Sequence, residues 1–155
     1  MAEVKESIEV DVPVHTAYNQ WTQFEEFPQF MENVESVTQL DDTHLRWVAE
    51  IGDTRDEWKA EITQQEPDRV IAWRSTEGRE NSGRVEFEPL GPSRTQIEVT
   101  MTWEPEGLAE ATADKIGLSD RAVKVDLERF KNLIESRGVE SGAWRGEVVD
   151  GERID

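Results

Sequence analysis

The 155-residue chain contains no cysteine. That removes disulfide scaffolds and thiolate metal sites, and it makes an oxidising compartment unnecessary. Nor does any run approach the ~20 consecutive apolar residues that span a bilayer, and the opening MAEVKESIEVDV lacks a basic stretch followed by an apolar one. Lysine is scarce: Lys5, Lys59, Lys115, Lys124 and Lys131 are outnumbered by arginine within a total of 17 basic residues. Against 35 Asp and Glu the formal net charge is −18, a field that repels phosphate backbones and anionic membranes. The expectation is a soluble, cytoplasmic protein with no nucleic-acid partner and no transmembrane segment. The spread acidity has two readings, a surface suited to concentrated salt or a compositional bias towards arginine, and both stay open.

Catalytic signatures are equally sparse. The two histidines, His15 and His44, have no second His or paired carboxylate at a metal-ligand spacing, so no metal and no cofactor is expected. There is no nucleophile elbow, phosphate-cradling glycine loop or dinucleotide fingerprint, and nothing promotes a Ser-His-Asp triad. Asp56, at the entrance of a strand whose inward face includes Trp58, could act as a general base if buried, but most carboxylates in so acidic a chain are solvated surface.

What the chain does contain is alternation. VKESIEVDV (4–12) puts Ile8, Val10 and Val12 on one face of a strand that Pro13 ends. Two short helical pieces follow, HTAYNQWTQF with Ala17, Tyr18 and Trp21, and EEFPQFM with Phe27, Phe30 and Met31. From residue 34 a series of strands begins, separated by turns of Asp, Gly, Pro and Ser. Leu45, Trp47, Ala49 and Ile51 share a face, as do Trp58, Ala60 and Ile62, then Val85 and Phe87, and finally Ile97, Val99, Met101 and Trp103. The short connections predict an antiparallel meander with one wet side.

The last long segment, LSDRAVKVDLERFKNLIESRG, predicts the best helix of the chain. Ser119 stands at its N-cap, Gly138 ends it, and Val123, Leu127, Phe130 and Ile134 form one stripe. Before it, 107–118 predicts a short, weakly amphipathic helix interrupted by Gly117. After it, 139–155 is acidic, Gly-rich and without period. It reads as a flexible tail beyond a domain of residues 1–138, with Trp144, Val148 and Val149 able to dock locally.

A sheet with one apolar face and a single amphipathic helix satisfy each other only if the sheet curls round the helix. The fold class is therefore α+β, a helix-grip or Bet v 1-like domain. It has a seven-stranded antiparallel curved sheet wrapped around a long C-terminal helix, and two short helices after the first strand. The stretches WTQFEEFPQFMENVESV (21–37), EWKAEI (57–62), IAWRSTEG (71–78), GRVEFEPL (83–90) and DLERFKNLIE (126–135) resemble the START-like (SRPBCC) superfamily. That superfamily includes polyketide cyclases/dehydrases, lipid-transfer proteins and coenzyme Q-binding proteins, and the stretches are closest to a bacterial cyclase/dehydrase branch. The resemblance implies a cavity between sheet and helix for a hydrophobic or amphipathic small molecule, and it carries over no catalytic residue.

Alternation places Trp47, Trp58, Trp73 and Trp103 on the inward side, and packing four indoles densely together is awkward, so a cavity lined with aromatics is expected. The lining residues expected are Trp47, Trp58, Trp73, Phe87, Met101, Trp103, Leu127 and Phe130. An entrance is expected near Phe27, Phe30, Met31, Leu108 and Ile116. Arg74 falls on the wet side by parity, with Glu86 or Glu88 as cross-strand partners. The leading function is binding or transport of a lipid, isoprenoid/quinone or polyketide-like molecule by a monomer or weak dimer. The alternatives are a cyclase/dehydratase and an interaction module with a filled interior.

Overall fold

The computed structural model describes residues 2–31, 34–51, 54–78, 80–103 and 120–154. Strand β1 (Ala2–Val10) leads into helix α1 (Val14–Trp21) and a 3-10 helix (Phe24–Gln29). Strands β2 (Val34–Gln39), β3 (His44–Ile51), β4 (Thr54–Glu66), β5 (Val70–Glu77), β6 (Asn81–Gly91) and β7 (Arg94–Trp103) follow, then helix α2 (Asp120–Arg137) and two short strands, β8 (Val148–Val149) and β9 (Glu152–Arg153).

The main path of the sheet runs β1-β7-β6-β5-β4-β3-β2. Strands β2 to β7 are thus a meander, and β1 closes its far side by pairing antiparallel with β7, with Val4 opposite Met101 and Ile8 opposite Ile97. The curved antiparallel sheet packs against α2, the predicted helix-grip arrangement. The predicted stripe of α2, Val123, Leu127, Phe130 and Ile134, is buried in the core. Gly138 ends the helix at φ +72°, and its N–H donates to Ile134 O at 2.8 Å, the left-handed stop that glycine adopts without strain. The predicted cap Ser119 lies outside the described residues.

Strict alternation fails in β4, and the failure bends the sheet. Register shifts separate Lys59 from Ala60 and Ile62 from Gln64 where β4 meets β5. Such bulges add local twist and reset which side chains face inward. After Ile62 the next fully buried residue of β4 is Gln65.

The outer face carries the charge, as expected. Arg46 with Glu57, Lys59 with Glu77 at 3.3 Å, and Arg84 with Glu86 at 3.2 Å are exposed ion pairs along and between strands. Each contributes ~1 kcal/mol or less. Arg74 is exposed, as parity predicts, but the partner differs from the expectation. The register sets Glu61 and Ser82 beside Arg74 and Val70 opposite Glu86, so neither Glu86 nor Glu88 stands across from it.

Composition reads 139–155 as a flexible tail with Trp144, Val148 and Val149 able to dock locally, and residues 139–154 are seen docked on α1 and β4. Residues 139–154 return over α1, whose outward residues Asn19, Gln20 and Thr22 are buried polar groups needing partners. Asn19 Nδ2 donates to Glu140 Oε2 at 2.8 Å, Ser141 N to Gln20 Oε1 at 2.9 Å, Trp144 N to Thr22 Oγ1 at 3.1 Å and Arg145 Nη1 to Asn19 Oδ1 at 2.6 Å. Strand β8 then pairs with Gln64 and Gln65 of β4. It sits in line with β3, which reaches only as far as Glu61. Composition points to Trp144, Val148 and Val149 but hides the rest of this docking, because the other anchors are polar and the paired strand is two residues long.

Candidate functional site

Two aromatic groups occupy the space between sheet and helices. The first is built from α1, the 3-10 helix, β6 and α2. Trp21 lies 4.7 Å from Phe130, 5.5 Å from Phe30, 5.9 Å from Phe27 and 6.2 Å from Phe87, with ring planes 51° to 74° apart. Tyr18 meets Phe87 edge-on at 5.4 Å. Tilted and edge-to-face pairs bring positive ring edges to negative faces, each adding about 0.5–1.5 kcal/mol beyond area burial. Phe27 and Phe30 are fully buried here. Their expected place is near an entrance; the 3-10 turn around Pro28 carries both rings into the core. Met31 is partly buried against it.

The second group stands on the sheet itself. Trp47 and Trp58 are directly opposite in β3 and β4, their rings 5.9 Å apart and only 8° from parallel. Trp73, on β5, lies 6.1 Å from Trp47 at 24°. Strands β3 and β5 are not neighbours, so these two indoles meet across β4. The inward residue between them there is Ala60, fully buried and opposite Leu45 and Ser75, and its single methyl leaves room for both rings to lean together. Trp73 also covers Gly83, its partner in β6. A Cβ on Gly83 would stand 2.4 Å from Trp73 Cζ2, so the glycine is there to admit the ring.

Trp47, Trp58 and Trp73, expected to line a cavity, are all buried. They are stacked on one another. Phe87, Leu127 and Phe130 belong to the buried core and Met101 is partly buried against it. Trp103 pairs through its backbone with Ala2 and Asn81, and its side chain lies outside those described. Leu108 and Ile116, and the whole 107–118 segment, lie outside the described residues. Two sequence-invisible features join the site: Ala60 and Gly83, small residues whose only signal is their place in strands otherwise rich in large ones.

Polar atoms in this interior are few and poorly partnered. Among the described residues, Trp21 Nε1, Trp47 Nε1 and Trp58 Nε1 are buried without a hydrogen-bond partner. Burial pushes the Tyr18 phenol up from 10 to about 12, a rise moderated by the Gln65 amide and by Arg145, whose guanidinium lies 5.6 Å from the ring centroid. Arg145 also pairs with Asp68 at 2.9 Å. For Glu140, burial acts upward, but the bond from Asn19 and nearby positive charge hold the carboxyl below its ordinary value. These groups belong to the end closed by residues 139–154.

His15 is exposed, and His44 Nδ1 sits 2.8 Å from Asp41 on the β2–β3 turn. The backbone N–H of Thr43, then His44, draw the Asp41 carboxyl below its usual range. Among the described residues no group of three or more His, Cys, Asp or Glu could hold a metal, and no helix is long and apolar enough to cross a membrane. Asp56 is partly buried in β4 opposite Ala49. Outside, an open groove of about 290 Å³ between Glu66, Arg69, Arg84, Glu86, Glu88 and Glu98 is polar and offers no seat for an apolar molecule.

A sheet gripping one C-terminal helix, with its inner face given over to aromatics, defines the helix-grip class. The chain belongs to the polyketide cyclase/dehydrase and lipid transport family, which matches residues 10–131. An uncharacterized 17.2 kDa protein of Streptomyces lincolnensis is 49% identical over 150 residues, covering 96% of this chain and 100% of the relative. A crystal structure from Deinococcus radiodurans, 30% identical, superposes with a TM-score of 0.70 over 89% of this chain and 100% of its own. An aromatase/cyclase from Streptomyces sp. R1128 shares the fold at a TM-score of 0.74 and 18% identity, over 92% of this chain and 99% of its own.

Proposed function

We propose that this protein takes up a hydrophobic small molecule of the lipid, isoprenoid, quinone or polyketide-like class between its sheet and α2, and carries it without transforming it. The observation that carries the reading is the inner face of β3, β4 and β5, where Trp47, Trp58 and Trp73 form a continuous stack of indoles. Burying apolar ligand surface there would contribute ~25 cal/mol per Å². The described groups favour carriage over catalysis: Tyr18, whose phenol is pushed up, stands at the opposite end beneath Arg145, and neither histidine faces the indoles. Uptake requires the indoles to part, since they are in contact with one another.

Trp73→Ala tests this. The variant is expected to weaken uptake of a fluorescent fatty-acid or quinone analogue by about tenfold while keeping its far-ultraviolet circular dichroism, since a fully buried aromatic contact of this size is worth at least ~1.4 kcal/mol. Unchanged uptake by the folded variant rejects the indole surface as the ligand wall.

The second reading, a cyclase or dehydratase, is favoured by similarity of fold to the aromatase/cyclase from Streptomyces sp. R1128. Asp56, on the same strand as Trp58 and partly buried, is the carboxylate placed to move a proton in that case.

A further inference from the structure

Three indoles of this interior bury an N–H with no hydrogen-bond partner, and their surroundings differ in a way that matters. The N–H of an indole lies in the plane of its own ring. Trp21 is surrounded by ring planes 51° to 74° from its own, so its N–H can rest on the face of a neighbour. Among the described rings, Trp58 has no such recourse. Its ring neighbour Trp47 lies only 8° from parallel, so the Trp58 N–H runs alongside that ring and cannot point into it. Trp47 is held between two stacked partners, at 8° and 24°, and only Phe27, at 53°, is tilted to it. Both indoles are more than nine-tenths buried, with 5% and 8% exposure.

Buried donors of this kind are ordinarily matched, and an indole donates only. Its complement is therefore an oxygen acceptor. The charge of that acceptor follows from the neighbours. The inward residues alternating with these indoles on β3 and β4 are Leu45, Ala49, Ala60 and Ile62, and among the described residues the ionisable neighbour on this stretch of β4's inner side is the acid Asp56. Arg46 and Lys59 point the other way, paired with Glu57 and Glu77. Among the described residues of β3 and β4, a carboxylate brought here would be desolvated beside an acid, with the basic side chains of both strands turned to the outer face.

We infer that the N–H groups of Trp58 and Trp47 are the polar recognition point of the interior, and that they select a ligand bearing an uncharged carbonyl oxygen over a free carboxylic acid or a plain hydrocarbon of the same size. The inference rests on the uptake reading above and narrows its ligand class.

Three fused-ring probes of nearly equal size separate the two. Binding of 9-fluorenone, fluorene and fluorene-9-carboxylate to the full chain at pH 7 is measured by calorimetry. The ketone is expected to bind about tenfold tighter than the hydrocarbon, the worth of one or two hydrogen bonds, and the carboxylate weakest. Trp58→Phe, which keeps an aromatic ring and removes the donor, is expected to erase most of the ketone's advantage while leaving fluorene within about twofold; Trp47→Phe does the same to a smaller degree. In ¹⁵N-labelled protein, the Nε1–H resonances of Trp58 and Trp47 move downfield with fluorenone and not with fluorene, a signature that packing alone would not produce. Equal binding of ketone and hydrocarbon, or a preference that survives both substitutions, overturns the carbonyl assignment and leaves uptake standing. Tightest binding of the carboxylate overturns it too. Failure of all three probes to bind overturns the uptake reading, and this one with it.

Discussion

The knot around Trp21 and the stack of Trp47, Trp58 and Trp73 are made of the same kinds of residue and behave differently. In the knot, rings meet edge to face and come from four separate elements, so each locks the others and Trp21 can satisfy its own N–H on a neighbour's face. In the stack, near-parallel rings rise from three strands of one sheet, held together by the smallness of Ala60 and Gly83 and leaving the Trp47 and Trp58 donors unmatched. The first arrangement is a closed core. The second is a surface in contact with itself. Aromatic content alone says nothing about which of the two a set of rings will form; the angle between planes decides it.

That contrast can be broken most forcefully at the knot. Trp21→Ala removes contacts to four rings at once and is expected to cost ~3–5 kcal/mol, measured by urea denaturation, with ligand uptake lost only because the fold is lost. At the stack, the expected cost is smaller and local. Gly83→Ala forces Trp73 off its seat and should destabilise by about 1–3 kcal/mol, with a change in the near-ultraviolet circular dichroism of the stacked indoles; an unaltered spectrum would show that Trp73 does not depend on the glycine.

The closed end offers a finer test, because Tyr18 is the only tyrosine in the chain and its ionisation can be followed alone by absorbance. Burial favours the neutral phenol and raises its folded-state pKa from 10 to about 12. The stability it contributes is therefore whole below pH 10 and is lost as pH rises towards 12. Arg145 acts in the opposite sense on this phenol, so Arg145→Ala should move the ionisation still higher and cost about 1 kcal/mol through its lost bonds to Asn19 and Asp68. A midpoint near 10 in the folded protein would mean that the phenol is hydrated. The smallest effect belongs to Arg74→Ala on the outer face, where both uptake and melting temperature should stay essentially unchanged; a large loss of uptake would place Arg74 on the inner side.

The fold was legible in the sequence because its instructions are periodic. Strand alternation located Trp47, Trp58 and Trp73 on one face, and the stripe from Val123 to Ile134 located the gripping helix. What escaped was set by single residues acting at a distance. Nothing in the sequence alone says that Ala60 lets indoles from β3 and β5 meet, or that Phe27 and Phe30 turn inward round Pro28. The polar part of the docking of residues 139–154, beyond Trp144, Val148 and Val149, escaped for a related reason: Asn19, Gln20 and Thr22 look like the wet face of a short helix until their partners arrive from more than a hundred positions away.

Strand β8 has a further consequence. It covers rungs of β4 that β3 is too short to reach, in register at Gln64 and Gln65. A molecule clipped by a protease after Gly138 would bare that ladder, along with the polar groups of α1, to any extended segment nearby, including the same strand of another copy. The C-terminal residues thus act as a sheath, and chains that lose it should turn sticky before they unfold.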